Sequence, residues 1–92
     1  MTKWEVISRE IVNGFDIVFS VDMLPGGDSW FIARVQAFRD GAELAVDYLD
    51  VYMYDSVADF VKGDYYTDMV STVTRAARTK SNIAKVIDKY YR

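Results

Sequence analysis

Two turn signals, Asn13-Gly14 and Asp40-Gly41, restrict the first half of the chain to hairpins. Each lies between two apolar-rich runs, and such dipeptides favour two-residue β-hairpin turns because both residues tolerate positive φ. Between them, the run Leu24-Pro25-Gly26-Gly27-Asp28 predicts a loop. The three turns delimit four predicted strands, over residues 4–12, 15–23, 30–39 and 43–54. Because neighbouring strands are joined by short connections, an antiparallel meander is the expected topology.

Alternation along these strands predicts one aliphatic face and one aromatic face. The aliphatic face takes Phe15, Ile17, Phe19, Val21, Phe31, Ala33, Val35, Leu49 and Val51. The opposite face takes the rings and charges Asp16, Asp22, Trp30, Arg34, Gln36, Phe38, Tyr48, Asp50, Tyr52 and Tyr54. Asp47 is the exception on the apolar side, and the first strand is compatible with either Trp4 and Val6 or Ile7 and Ile11 facing the core.

The rest of the chain has helical spacing. Asp55 or Ser56 is placed to cap a short helix that ends at Gly63, and Asp64 is placed to begin a longer one. The tripeptide 80–82 either kinks that second helix or ends it and caps another. Helices after the meander are expected to cover the aliphatic face. The prediction is a single α+β domain over residues 1–92: a four-stranded antiparallel meander (β-β-β-β-α-α) with C-terminal helices packed on one face and the other face open.

The amino-acid composition limits the kinds of catalysis and metal binding that the chain can support. The chain contains no cysteine and no histidine, which excludes thiolate nucleophiles, Ser-His-Asp catalysis and His- or Cys-based metal sites. The acidic residues are scattered, without the spacing of a calcium-binding loop. We therefore expect no enzyme activity, no cofactor and no metal. With no signal-like N-terminal run and no apolar stretch near ~20 residues, a soluble cytoplasmic protein is expected.

Charge is distributed unevenly along the chain. Residues 1–74 carry five basic and thirteen acidic side chains, whereas residues 75–92 carry six basic and one acidic. An acidic body repels phosphate backbones and attracts basic surfaces. The basic segment is explained by cations that complement a helix C-terminus. The alternative is a nucleic-acid-binding helix, with Arg75, Arg78, Lys80 and Lys85 as its contact residues.

The aromatic face is the candidate functional site. Trp, Tyr and Arg are enriched at the energetic centres of protein interfaces, and the face combines all three with nearby carboxylates. Cross-strand aromatic pairs that stabilise the sheet are the competing explanation. A second copy of the chain covering this face is a further alternative. Stacking of single-stranded bases is disfavoured, because the acidic surroundings repel phosphate.

The order of elements and one local run resemble small phage-encoded anti-CRISPR proteins. The likeness lies in Ile32-Ala33-Arg34-Val35, the Asp40-Gly41 turn and a strand that ends at Asp55-Ser56 before a short helix. In layout it extends over residues 4–77. The resemblance implies a stoichiometric inhibitor that occupies the nucleic-acid-binding or assembly surface of a CRISPR effector, with Arg34, Gln36 and their neighbours in contact. The strand from Trp30 to Val35 is more loosely similar to antitoxins with a β-β-β-α core.

The predicted function is therefore non-enzymatic inhibition in a host-cell cytoplasm. The acidic, aromatic face is expected to bind a CRISPR effector or another nucleic-acid-binding complex and to block access of DNA or RNA. The alternative is a small nucleic-acid-binding regulator or antitoxin that uses the basic C-terminal helix. No membrane association is expected. The sequence is compatible with a homodimer as well as with a monomer.

Overall fold

A computed structural model describes residues 4–23 and 30–90, so the predicted loop at residues 24–28 lies outside the described residues. It confirms the α+β prediction. The elements, in order, are strands β1 (Glu5–Val12), β2 (Phe15–Met23), β3 (Phe31–Arg39) and β4 (Ala42–Val51), and helices α1 (Val57–Val61) and α2 (Asp64–Tyr90). The four strands form one antiparallel sheet in the order β1-β2-β3-β4, which is the predicted meander.

Both predicted hairpin turns are present. Asn13 and Gly14 have φ of 53° and 83°, and Asp40 and Gly41 have φ of 53° and 80°. Two consecutive positive φ values are the requirement of the turn that matches the right-handed twist of a hairpin. These turns fix the register of the two outer hairpins, so that Val12 pairs with Phe15 and Arg39 with Ala42.

The hydrophobic core lies between the sheet and the helices. On the sheet side it contains Phe15, Ile17, Phe19, Val21, Phe31, Ala33, Val35, Ala37 and Val51, and on the helix side Phe60, Met69, Val73 and Ala77. Apart from Val51 of β4 and Phe60 of α1, these residues are the aliphatic face of β2 and β3 and one face of α2, each repeating at the period of its own element. Helix α2 packs against β2, β3 and β4, and no element within residues 4–23 and 30–90 covers the other side of the sheet.

Helix α2 is continuous through residues 80–82, so the helix neither ends nor restarts there. Its 27 residues give a length of about 40 Å. At the far end of the sheet, the Arg39 guanidinium lies 4.2 Å from the centre of the Phe15 ring and donates to Ser81 Oγ at 3.0 Å. Beyond Ser81, residues 82–89 are all exposed.

The segment between β4 and α2 differs from the prediction in one respect. Strand β4 ends at Val51 rather than at residue 54. Ser56 is the N-cap of α1, and its side chain accepts from the Asp59 amide at 3.2 Å. At the other end, Gly63 lies against Tyr54: a Cβ added at Gly63 would stand 2.5 Å from the Tyr54 hydroxyl. A Cβ at Gly63 would therefore force the end of the Tyr54 side chain to shift.

Gly63→Ala is expected to lower the free energy of unfolding by about 1–3 kcal/mol, because the added methyl group has to displace the Tyr54 ring from its packing. Chemical denaturation of the variant and the wild type measures the difference. Ala58→Gly, an exposed position in α1, is the control for general helix effects. A Gly63→Ala variant as stable as the wild type would contradict this account.

Candidate functional site: the open face of the sheet

The open face, defined as the sheet surface opposite the helices, consists of cross-strand rows fixed by the register. One row is Val6–Ser20–Arg34–Tyr48. On one side of it lies Asp22–Ile32–Asp50, and on the other lie Arg9–Val18–Gln36–Val46 and Ile11–Asp16–Phe38–Glu43. The structure therefore brings together the predicted site residues of β2 and β3 with Tyr48 and Asp50 of β4.

Three side chains from different strands form a stack across the middle of this face. The Arg34 guanidinium of β3 lies 4.2 Å from the centre of the Trp4 ring. Trp4 directly precedes β1, and its ring centre is 6.0 Å from that of Tyr48 on β4, with the planes tilted by 49°. A cation over an indole face is attracted by the ring's quadrupole. The stack therefore fixes the positions of two rings that belong to opposite edges of the sheet.

Beneath this stack the face is closed to solvent at its centre. Ser20 and Val18 are buried although they lie opposite the helices. Arg34 Nη2 donates to Ser20 Oγ at 3.4 Å, so the long side chain from β3 covers the short one from β2. Arg34 Nε is buried and has no hydrogen-bond partner among the described residues. Arg34 is thus held by packing under Trp4 more than by polar contacts.

Three large rings among the predicted site residues are exposed. Trp30 is 49% exposed, Tyr48 55% and Tyr52 70%. Trp30 directly precedes β3 and Tyr52 directly follows β4, and the pairing of Phe31 with Val51 places both at the same end of the sheet. None of the three belongs to the hydrophobic core, so their ring surfaces are available for contact with another molecule.

The charges on the open face are predominantly negative. Its acidic residues are Asp16, Asp22, Glu43 and Asp50, and its basic residues are Arg9 and Arg34. Gln36 Nε2 donates to Glu43 Oε1 at 3.1 Å, which orients one of these carboxylates. Because Arg34 is stacked beneath a ring, the exposed rim presents more carboxylate than guanidinium.

Tyr54 does not lie on the open face, so the prediction that it shares this face with the other site residues is wrong. Because β4 ends at Val51, strand alternation no longer determines where Tyr54 points. Its ring packs on Phe60, with 5.5 Å between ring centres, and on Tyr65 at 6.4 Å. Tyr54 is therefore part of the packing around α1. Phe38 is on the open face as predicted but is half-buried.

Trp4 is the site residue that the sequence analysis did not select. The register of β1 shifts between Val6 and Ser8, which is a β-bulge. The bulge at Ile7 brings Trp4, Val6 and Ile11 to the open face. Neither pair considered for the core side of β1, Trp4 and Val6 or Ile7 and Ile11, belongs to the hydrophobic core. The irregular spacing of apolar residues in the first strand was the available signal.

The basic residues of α2 do not form one face. Arg75, Arg78 and Lys85 are spaced by three and seven residues and lie along one side of the helix, whereas Lys80 lies about 140° around from Arg75. All four are exposed. Arg75 and Arg78, with Asn13, Ser71 and Thr74, line a groove of about 250 Å³ between the first hairpin and α2.

Tyr66 is a titratable side chain whose surroundings shift its pKa. Burial raises the pKa of the Tyr66 phenol above its ordinary 10.0, and the nearby Glu10 carboxylate acts in the same direction, whereas a hydrogen bond with Ser8 opposes both. The hydroxyl donates to Glu10 Oε1 at 3.5 Å. The neutral form is therefore favoured in the folded state.

The raised pKa of Tyr66 predicts a loss of stability at alkaline pH. The contribution of protonated Tyr66 to the free energy of unfolding is fully present below pH 10, the ordinary pKa that the residue has in the unfolded chain. This contribution is lost as the pH rises through the higher pKa of the folded state, because the unfolded chain releases the proton first. Thermal unfolding between pH 8 and 11 should show that, above pH 10, the stability of Tyr66→Phe increases relative to that of the wild type. Tyr52→Phe, at an exposed position, is the control. A constant difference between Tyr66→Phe and wild type would contradict the assignment.

Among residues 4–23 and 30–90, no cluster of three acidic side chains is placed to hold a metal ion, and no helix there is long and apolar enough to cross a membrane. No protein family, curated protein or solved structure matches the chain. The relationship to anti-CRISPR proteins stays a prediction.

Proposed function

We propose that this chain is a non-enzymatic inhibitor of anti-CRISPR type, which binds a basic, nucleic-acid-binding surface of a CRISPR effector or a similar complex. The observation that carries the proposal is the open face, on which exposed Tyr48 adjoins the Trp4–Arg34 stack among carboxylates, with exposed Trp30 and Tyr52 at one end of the sheet. Large rings of this kind supply contact area and a polar group at little conformational cost.

The mechanism combines steering with occlusion. Carboxylates on the open face attract a Lys- and Arg-rich groove and speed association, an effect that falls with ionic strength. The rings then lose their water in the complex and slow its dissociation. Because the chain occupies the groove that binds the phosphate backbone, DNA or RNA is excluded while the complex lasts. The fixed stack reduces the ordering cost of binding.

The test is capture of a partner by matched sets of variants. The tagged chain is incubated with lysate from cells that contain a CRISPR effector, bound proteins are identified by mass spectrometry, and their nucleic-acid binding is measured. Trp30→Ala, Tyr48→Ala and Tyr52→Ala are each expected to weaken binding by about 30-fold. Arg75→Glu, Arg78→Glu and Lys85→Glu together should leave it unchanged. Circular dichroism verifies folding. Recovery of nucleic acid without any protein would overturn the proposal.

A second function, nucleic-acid binding by a small regulator or antitoxin, is favoured by one observation, the groove between the first hairpin and α2. It combines two guanidinium groups with the Ser71 hydroxyl and the Asn13 side chain, which are the groups that contact phosphates. This function predicts the reverse outcome: the basic set of variants abolishes binding and the aromatic set does not.

A further inference from the structure

Strand β4 is an edge of the sheet, and one carboxylate on it faces the helices. The sheet order β1-β2-β3-β4 leaves β4 paired on one side only. Asp47 pairs with Val35, which is fully buried in the core, and side chains directly opposite each other in a sheet share a face. Asp47 therefore lies on the side of the sheet that the helices cover, where the strand alternation makes it the exception.

The surroundings of Asp47 on this side are apolar. Val35 stands between Phe19 and Asp47 in one cross-strand row, and Ala45 and Leu49, two residues before and after Asp47, pack against the core. Asp47 is half-buried, and within the part of the chain that the structure describes it makes no ion pair. Strand β3 borders it on one side and α2 packs on its strand, so its contact with water depends on the free edge of β4.

The Asp47 carboxylate also occupies a backbone group that strand pairing would need. Its Oδ1 accepts from the Tyr48 amide at 3.0 Å. Amides along an antiparallel strand point alternately toward its two sides, and an amide that donates to a side chain of its own strand is not donating to β3. The Tyr48 amide thus belongs to the free edge, in the middle of β4, where an added strand would require it as a donor.

We infer that Asp47 prevents the free edge of β4 from pairing with β4 of a second copy of the chain. An added strand would close the side from which water reaches the carboxylate, and burial of an unpaired charge is strongly unfavourable. The same strand would have to break the hydrogen bond between Oδ1 and the Tyr48 amide. Inward-pointing charges on edge strands are one way in which sheets avoid edge-to-edge association. The inference is independent of the proposed function, since a contact through the open face leaves this edge free.

The opposite edge of the sheet is interrupted in a different way. In β1 the register shifts between Val6 and Ser8, and a bulge breaks the row of evenly spaced backbone groups that an added strand would follow. The register shift of β4 lies near its start, opposite Ala37 and Phe38, and the strand pairs regularly from Ala45 to Val51. β4 is therefore the edge with the longer regular row, and its protection depends on a side chain.

Sedimentation velocity of Asp47→Val over a range of concentrations tests the inference. The variant should associate at least about 10-fold more tightly than the wild type. Asp50→Val is the matched control: it removes the same charge from the same strand, but Asp50 is exposed on the open face, which an added strand leaves in water, so it should behave as the wild type. Circular dichroism verifies that each variant folds. Asp47→Val that is monomeric up to ~1 mM, or equal association of Asp50→Val, overturns the inference.

Amide hydrogen exchange shows where two copies of Asp47→Val meet. The Tyr48 amide and the amides two residues before and after it point the same way along the edge. They should exchange more slowly at high protein concentration than at low concentration, because pairing with a second strand protects them. The amides of β1 and α2 should be unaffected by concentration. Protection confined to β1 or α2 would show a different interface and overturn the inference.

The same variant measures what the charge costs the monomer. At a concentration too low for association, Asp47→Val should unfold at a higher urea concentration than the wild type, because a branched apolar side chain replaces a half-buried carboxylate beside Ala45 and Leu49. Asp50→Val, at an exposed position, should shift the midpoint less. A midpoint of Asp47→Val below that of the wild type would make Asp47 a stabilising residue of the sheet and overturn the inference.

Discussion

Replacing Phe60 with alanine is expected to lower the free energy of unfolding by about 3–5 kcal/mol, the range for removal of a buried phenylalanine ring. Phe60 is fully buried. Its ring centre lies 5.8 Å from Phe19, 5.6 Å from Phe31 and 6.1 Å from Tyr66, in addition to its contact with Tyr54. No other described ring makes as many of these contacts. Its removal leaves a cavity that both the sheet and α2 line.

Urea denaturation followed by circular dichroism measures this loss. Domains of this size have a total stability of about 5–15 kcal/mol, so Phe60→Ala is expected to remove a large share of it. Phe60→Leu, which retains most of the volume, keeps the experiment interpretable and should cost about 1–2 kcal/mol. Phe38→Ala, a half-buried ring on the open face, is the matched control and should cost less than Phe60→Ala. Equal losses at the two positions would contradict the placement of the core.

The parts of the fold that sequence analysis predicted depend on local chemistry. Asn13-Gly14 and Asp40-Gly41 determine their turns by their own tolerance of positive φ. Once the turns are fixed, the two-residue period determines the face of every regular strand residue. Trp30, Arg34 and Tyr48 were therefore placed on the same side as one another, and Phe19 and Val35 on the other, without knowledge of any contact.

The errors arose where the local pattern is interrupted by packing. The bulge at Ile7 changes the face of β1 midway along the strand, and no residue type marks it. Tyr54 continues the apparent alternation of β4, yet its contacts with Phe60 and Gly63 turn it toward the helices. At residues 80–82 the sequence left two alternatives open, a kink or a new helix; the Ser81 hydroxyl accepts from Arg39 and the helix continues. Each outcome depends on a residue distant in the chain.

The candidate site was incomplete for the same reason. Its exposed rings follow from strand alternation, but Trp4 reaches it from the opposite edge of the sheet across β2. That reach is possible because the intervening residue in the row is Ser20, which is small. Recognition of the stack required the register of three strands. The central role of Arg34, predicted only as one contact among ten, follows from the same row.

Arg34→Ala is expected to lower the free energy of unfolding by about 1–3 kcal/mol and to release Trp4 from its position. The variant loses a cation–π contact worth about 0.5–2 kcal/mol and the apolar stem that covers Ser20. Arg34→Met retains the stem and removes the guanidinium with its unpartnered Nε. We therefore expect Arg34→Met to be within about 1 kcal/mol of the wild type.

Tryptophan fluorescence in a Trp30→Phe background reports on Trp4 alone, because the chain contains two tryptophans. Its emission should move to longer wavelength in Arg34→Ala and change less in Arg34→Met, in which the stem still supports the ring. A double-mutant cycle between Trp4→Ala and Arg34→Met, measured by urea denaturation, should give a coupling energy of about 1 kcal/mol. A coupling energy of zero, with unchanged emission in Arg34→Ala, would mean that Arg34 does not hold Trp4. In that case the Trp4–Arg34 stack would not pre-order the rings of the open face for binding.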